Sequence, residues 1–350
     1  MRVALVAATT AHHAPSDGAQ RMQRLARLLT GDHEVVVFTT KWWDGAPTEF
    51  EHDGVIYRQV APSPSASTFA ATLGPRIRAF RPDVIHVTCD PPSHVIGARI
   101  AATLSRSPYV VECYDPPKTR GWLASRLFRS GLKRADAVIT PSRTVKTRVR
   151  ESGIPGERIR VIPSGIDFDA IRHATPADGG DIVFSRHLDE AANLETLLLA
   201  LAEFRTYDWD ATIIGDGPKR VAYERQVRDL RIDDRVEFVG DKDESARIAL
   251  FKGAHVYAHT AEYTPFAIDL LRALASGCVG IVEYHAASSA HELVEHEDRG
   301  FTATSAQELT RQLTRAGDLD RLDANERFAA YDDEYFLERY LDVYRNAASR

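Results

Sequence analysis

The sequence predicts an α/β protein made of two doubly wound domains in series. Short apolar runs rich in β-branched residues alternate with segments of helical period along the whole chain, and this alternation is typical of parallel sheets covered by helices. The alternation lapses once, over residues 165–180, and then resumes. A chain of 350 residues is long enough for two domains of about 150–200 residues each.

The first domain is predicted over residues 1–165. It opens with a buried strand, "RVALVAA", followed by a helix over 19–29 whose apolar side chains recur on one face. Five more apolar runs predict strands: "EVVVFTT", "DVIHVT", "YVVECY", "DAVITP" and "IRVIP". The stretch 165–180 contains Pro and Gly and loses the periodic pattern, so the linker is expected there.

The second domain is predicted over residues 166–325. Its expected strands are "DIVFS", "ATIIG", "VEFVG", "HVYAH" and "VGIVEY", and its expected helices start near residue 193 or cover 219–230, 245–251 and 265–276. The last of these helices should begin at Pro265, because proline is favoured at the first helical position. The aromatic tail, 326–350, has helical period and is expected to form a terminal helix that packs back across the domains.

The composition is that of a globular protein, with 44% hydrophobic and 27% charged residues. No stretch approaches the roughly 20 apolar residues that a membrane-spanning helix needs. The three cysteines, Cys89, Cys113 and Cys278, show no metal-ligand spacing. We therefore expect free thiols in a reducing compartment, a cytoplasmic location and no metal site.

Charge is distributed unevenly along the chain. Residues 1–165 contain 23 Lys and Arg against 14 Asp and Glu, whereas the remaining residues contain 21 against 36. The segment 118–150 has ten basic side chains and one acidic side chain, Asp136, and apolar residues are interleaved with them: Trp122, Leu123, Leu127 and Phe128. Such a segment suits peripheral contact with an anionic membrane or a phosphorylated lipid, or equally a solvated helix face that balances the acidic half. Nucleic acid is not expected as a partner, because no recognition motif accompanies the charge.

Seven stretches resemble, in order and spacing, the motifs of family 4 glycosyltransferases, which have two Rossmann-like domains facing a cleft (the GT-B architecture). They are "DGAQRMQRLARLLTGDHEVVVFTT", "RPDVIHV", "ADAVITPSRTVKTRV", "IRVIPSGID", "IIGDGP", "RVEFVG" and "FAIDLLRALASG". The resemblance implies transfer of a sugar from a UDP- or GDP-linked donor, held mainly by the second domain. The acceptor it implies is a glycan or a lipid-phosphate-linked molecule at the cytoplasmic membrane face, held mainly by the first domain.

The resemblance also implies retention of the anomeric configuration, hexosyl transfer, and catalysis without a metal or other cofactor, the nucleotide-sugar being a substrate. Positive side chains and backbone N–H groups must then neutralise the departing diphosphate, and helix N-termini suit that task.

In the first domain the resemblance points to Gly18 and Asp115. Gly18 matches one of a pair of glycines that approach phosphate, the other being Asp17 here; alternatively Gly18 only turns strand into helix. Asp115, in "VECYDPP", matches an acidic position that lines the acceptor cleft, where it would orient or deprotonate an acceptor hydroxyl; alternatively it caps the following segment. His86 is expected to be a core histidine.

In the second domain the resemblance points first to Arg186, which follows "DIVFS" where the family places an arginine against the donor diphosphate. A planar guanidinium suits phosphate oxygens; the alternative is a surface ion pair with Asp189 or Glu190. The lysine that usually completes this clamp is replaced by Ala192, and Gly215 of "IIGDGP" belongs to the same predicted donor site.

The stretch "AEYTPFAIDLLRALASG", residues 261–277, departs most from the family. Family members have two glutamates eight positions apart around a Phe-Gly pair, the first meeting donor sugar hydroxyls and the second the ribose. Those two positions are Thr264 and Arg272 here, and Phe266 is followed by Ala267 instead of glycine.

Two interpretations of this change stay open. Arg272 reaches the phosphates and replaces the cation missing at Ala192, while Thr264 or Glu262 takes the sugar hydroxyls. Alternatively, Arg272 only pairs with Asp269 on its own helix and donor binding is lost. The second interpretation leads to an alternative function, a GT-B protein with a degenerate donor site that acts as a non-catalytic partner of another glycosyltransferase.

Overall fold

The computed structural model describes residues 1–14, 16–61, 66–117 and 121–349, and these form two compact units. Unit 1 comprises residues 1–165 together with the terminal segment from Asp333, and unit 2 comprises Ile166–Asp332. Each unit is a parallel sheet covered by helices, so the predicted fold class is confirmed. Among the helices described, none combines the length and apolar character needed to cross a bilayer.

The sheet of unit 1 has eight strands, in the order β3-β4-β2-β1-β5-β6-β7-β8. The strands are β1 (Arg2–Val6), β2 (Glu34–Thr40), β3 (Glu49–His52), β4 (Val55–Ala61), β5 (Val84–Thr88), β6 (Tyr109–Glu112), β7 (Ala137–Thr140) and β8 (Ile159–Val161). The six predicted strands are confirmed. The antiparallel hairpin of β3 and β4 was not predicted, although its turn, Asp53-Gly54, has positive φ at both residues (49° and 73°), as two-residue hairpins favour.

Helices cover both faces of this sheet. They are α1 (Asp17–Leu29), α2 (Ala66–Phe80), α3 (Pro92–Ser105), α4 (Trp122–Arg134), α5 (Arg143–Glu151) and, from the end of the chain, α12 (Asp333–Ala348). Helices α2 to α5 share one apolar core with the sheet. Helices α1 and α12 share the core on the opposite face. The terminal helix therefore completes one of the two layers of unit 1.

A buried ionic network joins α12 to the rest of unit 1. Arg21 Nε donates to Glu112 Oε1 at 2.6 Å, and Arg21 Nη2 donates to Tyr340 Oη at 2.6 Å. Tyr340 in turn donates to Glu112 Oε1 at 2.8 Å. His86 is fully buried, with Nδ1 2.5 Å from Tyr344 Oη and Nε2 3.0 Å from Glu112 Oε2, so it is the core histidine that was predicted.

Unit 2 contains a four-stranded ladder in the order β14-β13-β12-β9, and β10 and β11 continue it beside β9. The junction is formed by backbone bonds of 3.0 Å from Ile182 N to Asp210 O and from Arg186 N to Ile214 O. The strands are β9 (Ile182–Ser185), β10 (Ala211–Ile214), β11 (Val236–Gly240), β12 (Val256–His259), β13 (Val279–Glu283) and β14 (Gly300–Ala303). The helices are α6 (Phe168–His173), α7 (Leu194–Glu203), α8 (Arg220–Asp229), α9 (Glu244–Gly253), α10 (Ile268–Ala275) and α11 (Ala306–Gly317).

Helix α10 begins at Ile268, so the prediction that it starts at Pro265 was wrong. The preceding residues remain extended because Thr264 pairs with Ser288 in a β-bridge and accepts a hydrogen bond from Ser289 N at 2.9 Å. The tertiary pairing of this segment outweighs the local preference of proline for a helix start.

Two other predicted segments also differ in the structure. The boundary between the two units, Gly165 to Ile166, falls within the stretch 165–180 where the linker was expected, but the stretch also contains α6, whose N-terminus is capped by Asp167 accepting from Ala170 N at 2.8 Å. The tail is not a single helix over 326–350: a 3-10 helix, Glu326–Tyr331, belongs to unit 2, and α12 belongs to unit 1.

Candidate functional site

Arg186 lies at the carboxyl edge of the unit 2 sheet, directly after β9, where ligands bind in open parallel sheets. Its Nη1 donates to Thr264 Oγ1 at 3.1 Å and its Nη2 donates to Tyr263 O at 2.9 Å. These two bonds hold the half-buried guanidinium in one orientation. The surface ion pair considered as an alternative is not formed with Glu190, whose carboxylate pairs with Lys219 instead.

Gly215 allows the loop after β10 to pass close to the backbone of Arg186. Its φ is +126°, and a Cβ at this position would lie 1.9 Å from the carbonyl oxygen of Arg186. Glycine is therefore required for the loop after β10 to pass beside the end of β9. A direct role of Gly215 in donor binding stays a prediction.

The loop after β10, which contains Gly215, also contains a second cation, Lys219. The family pattern places its lysine at residue 192 instead. Ala192 is fully buried in the core of unit 2. Lys219, after β10, has its Nζ 2.8 Å from Glu190 Oε1, and its backbone N–H donates to Leu188 O at 2.9 Å. Sequence reasoning missed Lys219, although it directly follows the quoted motif "IIGDGP".

Thr264 supports Arg186 from within the protein. Its hydroxyl accepts from Arg186 and lies 3.1 Å from His259 Nε2, and the residue is 3% exposed. Burial, together with the charge of Arg186, lowers the pKa of His259 to about 3, so the imidazole is neutral at physiological pH. Phe266 and Ala267 are buried as well. Of the residues predicted in this loop, Glu262 alone is exposed, and its N–H donates to Ala191 O at 3.1 Å.

Arg272 lies in a group of charged side chains that we call the unit 2 ion network: Arg247, Asp269, Arg272 and Glu244. Arg272 Nη1 donates to Asp269 Oδ1 at 3.0 Å, and its Nη2 contacts Glu244. Asp269 also accepts from Arg247 Nη1 and from Ser185 Oγ, each at 2.7 Å. Burial would raise the pKa of Asp269, but Arg247 and Arg272 hold it below its ordinary value.

The pairing of Arg272 with Asp269 in this network is the contact that the second interpretation of the sequence proposed. The structure adds Glu244 as a further partner, which sequence reasoning did not identify. A direct role of Arg272 at the phosphates stays a prediction.

A further polar cluster lies at the same edge, and sequence reasoning missed it as well. Asn193 Nδ2 donates to Glu283 Oε2 at 2.9 Å and to Thr260 O at 3.1 Å. His285 Nε2 lies 3.6 Å from Glu283 Oε2. Burial raises the pKa of Glu283, which is 7% exposed. The available signal was a glutamate that closes the apolar run "VGIVE".

In unit 1 the two predicted residues, Gly18 and Asp115, flank Tyr114 at the carboxyl edge of the sheet. Gly18 lies in the first turn of α1 instead of the preceding loop, and a Cβ there would lie 3.2 Å from the Tyr114 ring. Asp115 is exposed after β6. Partial burial and the charge of Asp115 raise the pKa of Asp90, which follows β5, so two carboxylates interact here. Sequence reasoning missed Asp90.

No three His, Cys, Asp or Glu side chains are grouped to hold a metal ion in the part of the chain that the structure describes. Cys89, Cys113 and Cys278 are free and buried.

Two family models match the chain in succession. The model of the Glycosyl transferase 4-like domain matches residues 18–165, and the model of Glycosyl transferases group 1 matches residues 166–332. The chain belongs to the family 4 glycosyltransferases. The predicted family is thereby confirmed, and the non-catalytic alternative is not favoured.

Similar proteins agree with this assignment. The glycosyltransferase is 23% identical over 222 residues to N-acetyl-alpha-D-glucosaminyl L-malate synthase of Bacillus anthracis, an alignment that spans 59% of this chain and 55% of that protein. Its fold is similar to that of the Anabaena protein HepE in complex with UDP, with a TM-score of 0.78 and 19% identity over 98% of this chain and 99% of that one. A glycosyltransferase from Rickettsia africae gives a TM-score of 0.81 and 13% identity over 99% of this chain and 98% of that one.

Proposed function

We propose that this glycosyltransferase moves a hexosyl group from a UDP- or GDP-linked donor, bound by unit 2, to a glycan or lipid-phosphate-linked acceptor, bound by unit 1. The observation that carries the proposal is the fixed orientation of Arg186 at the carboxyl edge of unit 2. HepE, whose fold is similar, has been crystallised with UDP and with UDP and glucose. In this proposal the reaction retains the anomeric configuration and needs no bound metal.

Arg186 and Lys219 would neutralise the diphosphate as it departs. Arg186 is held in place before the donor arrives, so little reorganisation is required when negative charge develops. Lys219 is already ion-paired with the exposed Glu190, and a phosphate would compete with that carboxylate. Together they supply two cations where the family pattern shows a missing lysine at Ala192.

Asp115 would orient or deprotonate the acceptor hydroxyl in unit 1. It follows a central strand and is exposed, so an acceptor can reach it. Asp90, whose pKa is raised by partial burial and by the charge of Asp115, is a second carboxyl group at this edge.

Helix α4 would place unit 1 on an anionic membrane at the cytoplasmic face. Trp122 is 72% exposed and Leu127 is 44% exposed, with exposed basic side chains between and after them: Arg126, Arg129, Lys133 and Arg134. Phe128 is buried in the core of unit 1, so its predicted place on the apolar face of this segment was wrong. Residues 118–120 and the Leu123 side chain lie outside the described part of the chain.

Isothermal titration tests the donor site directly. We expect UDP or GDP to bind the wild type, and Arg186→Ala to weaken binding by about tenfold or more, because a hydrogen bond to a charged group is lost. Arg225→Ala is the matched control, since Arg225 is an exposed cation of α8 in the same unit. If neither nucleotide binds the wild type, the proposal is wrong.

Two further measurements address the finer parts of the proposal. Transfer of sugar should continue at an unchanged rate in EDTA, because the proposed reaction needs no bound metal.

The wild type should sediment with vesicles that contain phosphatidylglycerol and not with purely zwitterionic vesicles. The double variant Trp122→Ser, Arg126→Glu should not sediment with either kind of vesicle. Equal sedimentation of the wild type and this variant would contradict the role of α4.

A further inference from the structure

Glu283 is a buried carboxylate at the edge of unit 2 where a ligand is expected. It is the last residue of β13, which lies next to β12, and β12 lies next to β9. The carboxyl ends of parallel strands meet at one edge of a sheet. Glu283 therefore lies on the same edge as Arg186, which directly follows β9.

The neighbouring side chains position the Glu283 carboxylate but leave some of its hydrogen-bond acceptor positions unoccupied. Asn193 donates one amide hydrogen to Glu283 Oε2 and the other to Thr260 O, and its Oδ1 accepts from Thr196 Oγ1 at 3.1 Å. Both amide hydrogens of Asn193 are thus used within the protein. Thr196 and His285 also interact with the Glu283 carboxylate, the Nε2 of His285 lying 3.6 Å from Oε2. An ionised carboxylate offers about four acceptor positions, more than these three side chains fill. Glu283 retains acceptor positions for a ligand.

Burial of this carboxylate is costly for the fold alone. Removing an ionisable group from water is unfavourable unless it is well paired, and β13 is otherwise apolar, with the sequence "VGIVE". An apolar side chain at residue 283 would close the strand without that cost. A carboxylate with a perturbed environment at a ligand-binding edge indicates a functional site.

The loop after β9 connects this carboxylate to the proposed phosphate site. Arg186 begins the loop and Asn193 ends it. The loop after β12 is bonded to it, since Glu262 N donates to Ala191 O and Thr260 Oγ1 donates to Ala192 O, each at 3.1 Å. One short segment thus positions both a cation and the partner of a buried carboxylate.

We propose that Glu283, positioned by Asn193, accepts hydrogen bonds from hydroxyl groups of the sugar being transferred and so selects that sugar. The ligand class is a polyhydroxylated sugar ring attached to a nucleoside diphosphate, and the inference rests on the proposed function. Thr264 does not offer a carboxylate at this edge, and its hydroxyl already contacts Arg186 and His259. Glu283 supplies the charged acceptor instead.

The test compares binding of a nucleotide-sugar with binding of the bare nucleotide. Titrations with UDP, GDP, UDP-glucose, UDP-N-acetylglucosamine and GDP-mannose first identify the donor that the wild type binds most tightly. Glu283→Gln should then raise the Kd for that donor by about tenfold or more, because a charged hydrogen bond to the sugar is lost, and change the Kd for the bare nucleotide by less than about twofold. Glu237→Gln, an exposed carboxylate on β11, is the matched control.

Asn193→Gly provides a second variant if Glu283→Gln does not fold. Asn193 has a φ of 49°, which glycine adopts without strain, and loss of its amide should weaken donor binding in the same selective way. The proposal is overturned if both variants bind donor and bare nucleotide as the wild type does, or lose both equally. Absence of any nucleotide binding by the wild type would instead overturn the proposed function, and this inference with it.

Discussion

Each unit contains a buried arginine–carboxylate network, and the two networks differ in whether solvent reaches them. In unit 1 all three guanidinium nitrogens of Arg21 donate hydrogen bonds, and the acceptors are Glu112, Ser164, Tyr340 and a backbone carbonyl. The side chains of Arg21 and Glu112 are at most 4% exposed. In unit 2 the network ends at the surface, since the side chain of Glu244 is 40% exposed.

The closed network is structural in our interpretation, because its donors and acceptors are used within the protein. It connects α1, β6 and α12. The open network lies beside the ligand edge: Asp269 accepts from Ser185, the residue before Arg186. A buried ion pair is therefore not by itself a sign of function, and these two networks differ in their access to solvent.

The largest effect is expected from Arg21→Met. Glu112 would remain buried without its countercharge, and the free energy of unfolding should fall by about 3–5 kcal/mol, as for other broken buried pairs. Urea denaturation followed by circular dichroism measures this loss. Arg21→Met combined with Glu112→Leu should recover much of the stability, because no uncompensated charge is left. A loss below about 1 kcal/mol for the single variant would contradict the closed network.

A somewhat smaller effect is expected from pH. Burial would raise the pKa of Glu112, but Arg21 and His86 lower it to about 2, from an ordinary value of 4.5. Folding therefore favours the ionised form, and this contribution, about 3 kcal/mol, is present above pH 4.5 and is lost as the pH falls to about 2. Urea titrations at pH 5, 4 and 3 should show a shallower decline for Glu112→Gln than for the wild type. Parallel declines would show that Glu112 does not titrate in this way.

The smallest effect is expected from Arg272→Met in the open network. Asp269 keeps Arg247 and Ser185 as partners, so the free energy of unfolding should fall by only about 1–3 kcal/mol. If Arg272 serves only the network, the Kd for UDP or GDP changes by less than about twofold. If Arg272 contacts the donor phosphates, Arg272→Met raises the Kd for UDP or GDP by about tenfold. Isothermal titration therefore distinguishes a phosphate contact of Arg272 from pairing with Asp269 alone.

Most of the fold could be predicted from sequence, because the spacing of apolar residues that marks a strand or a helix is visible within one short segment. The alternating pattern located five of the six strands described in unit 2 and six of the eight in unit 1. Strand β14, "GFTA", was missed. The β3–β4 hairpin was missed because "EFEH" is polar and lies on the exposed sheet edge, where no apolar pattern is needed. The start of α10 was missed because Thr264 pairs with Ser288, a contact that no local pattern reports.

The candidate site was harder to predict because its contacts are distant in sequence. Arg186 lies 78 residues from Thr264 and 77 residues from Tyr263. Arg186 was identified from the family pattern, but its support by Tyr263 and Thr264 required the structure. The Asn193–Glu283 contact joins residues 90 positions apart, so the two could not be paired from the sequence.

The return of the chain to unit 1 at α12 has a consequence for biosynthesis. Unit 2 is inserted between two parts of unit 1, so residues 1–165 leave the ribosome before the helix that covers one face of their sheet. Unit 2 is contiguous, and contiguous domains fold as they emerge. We expect the face of the unit 1 sheet that α12 covers to stay exposed until residues 333–348 have been synthesised.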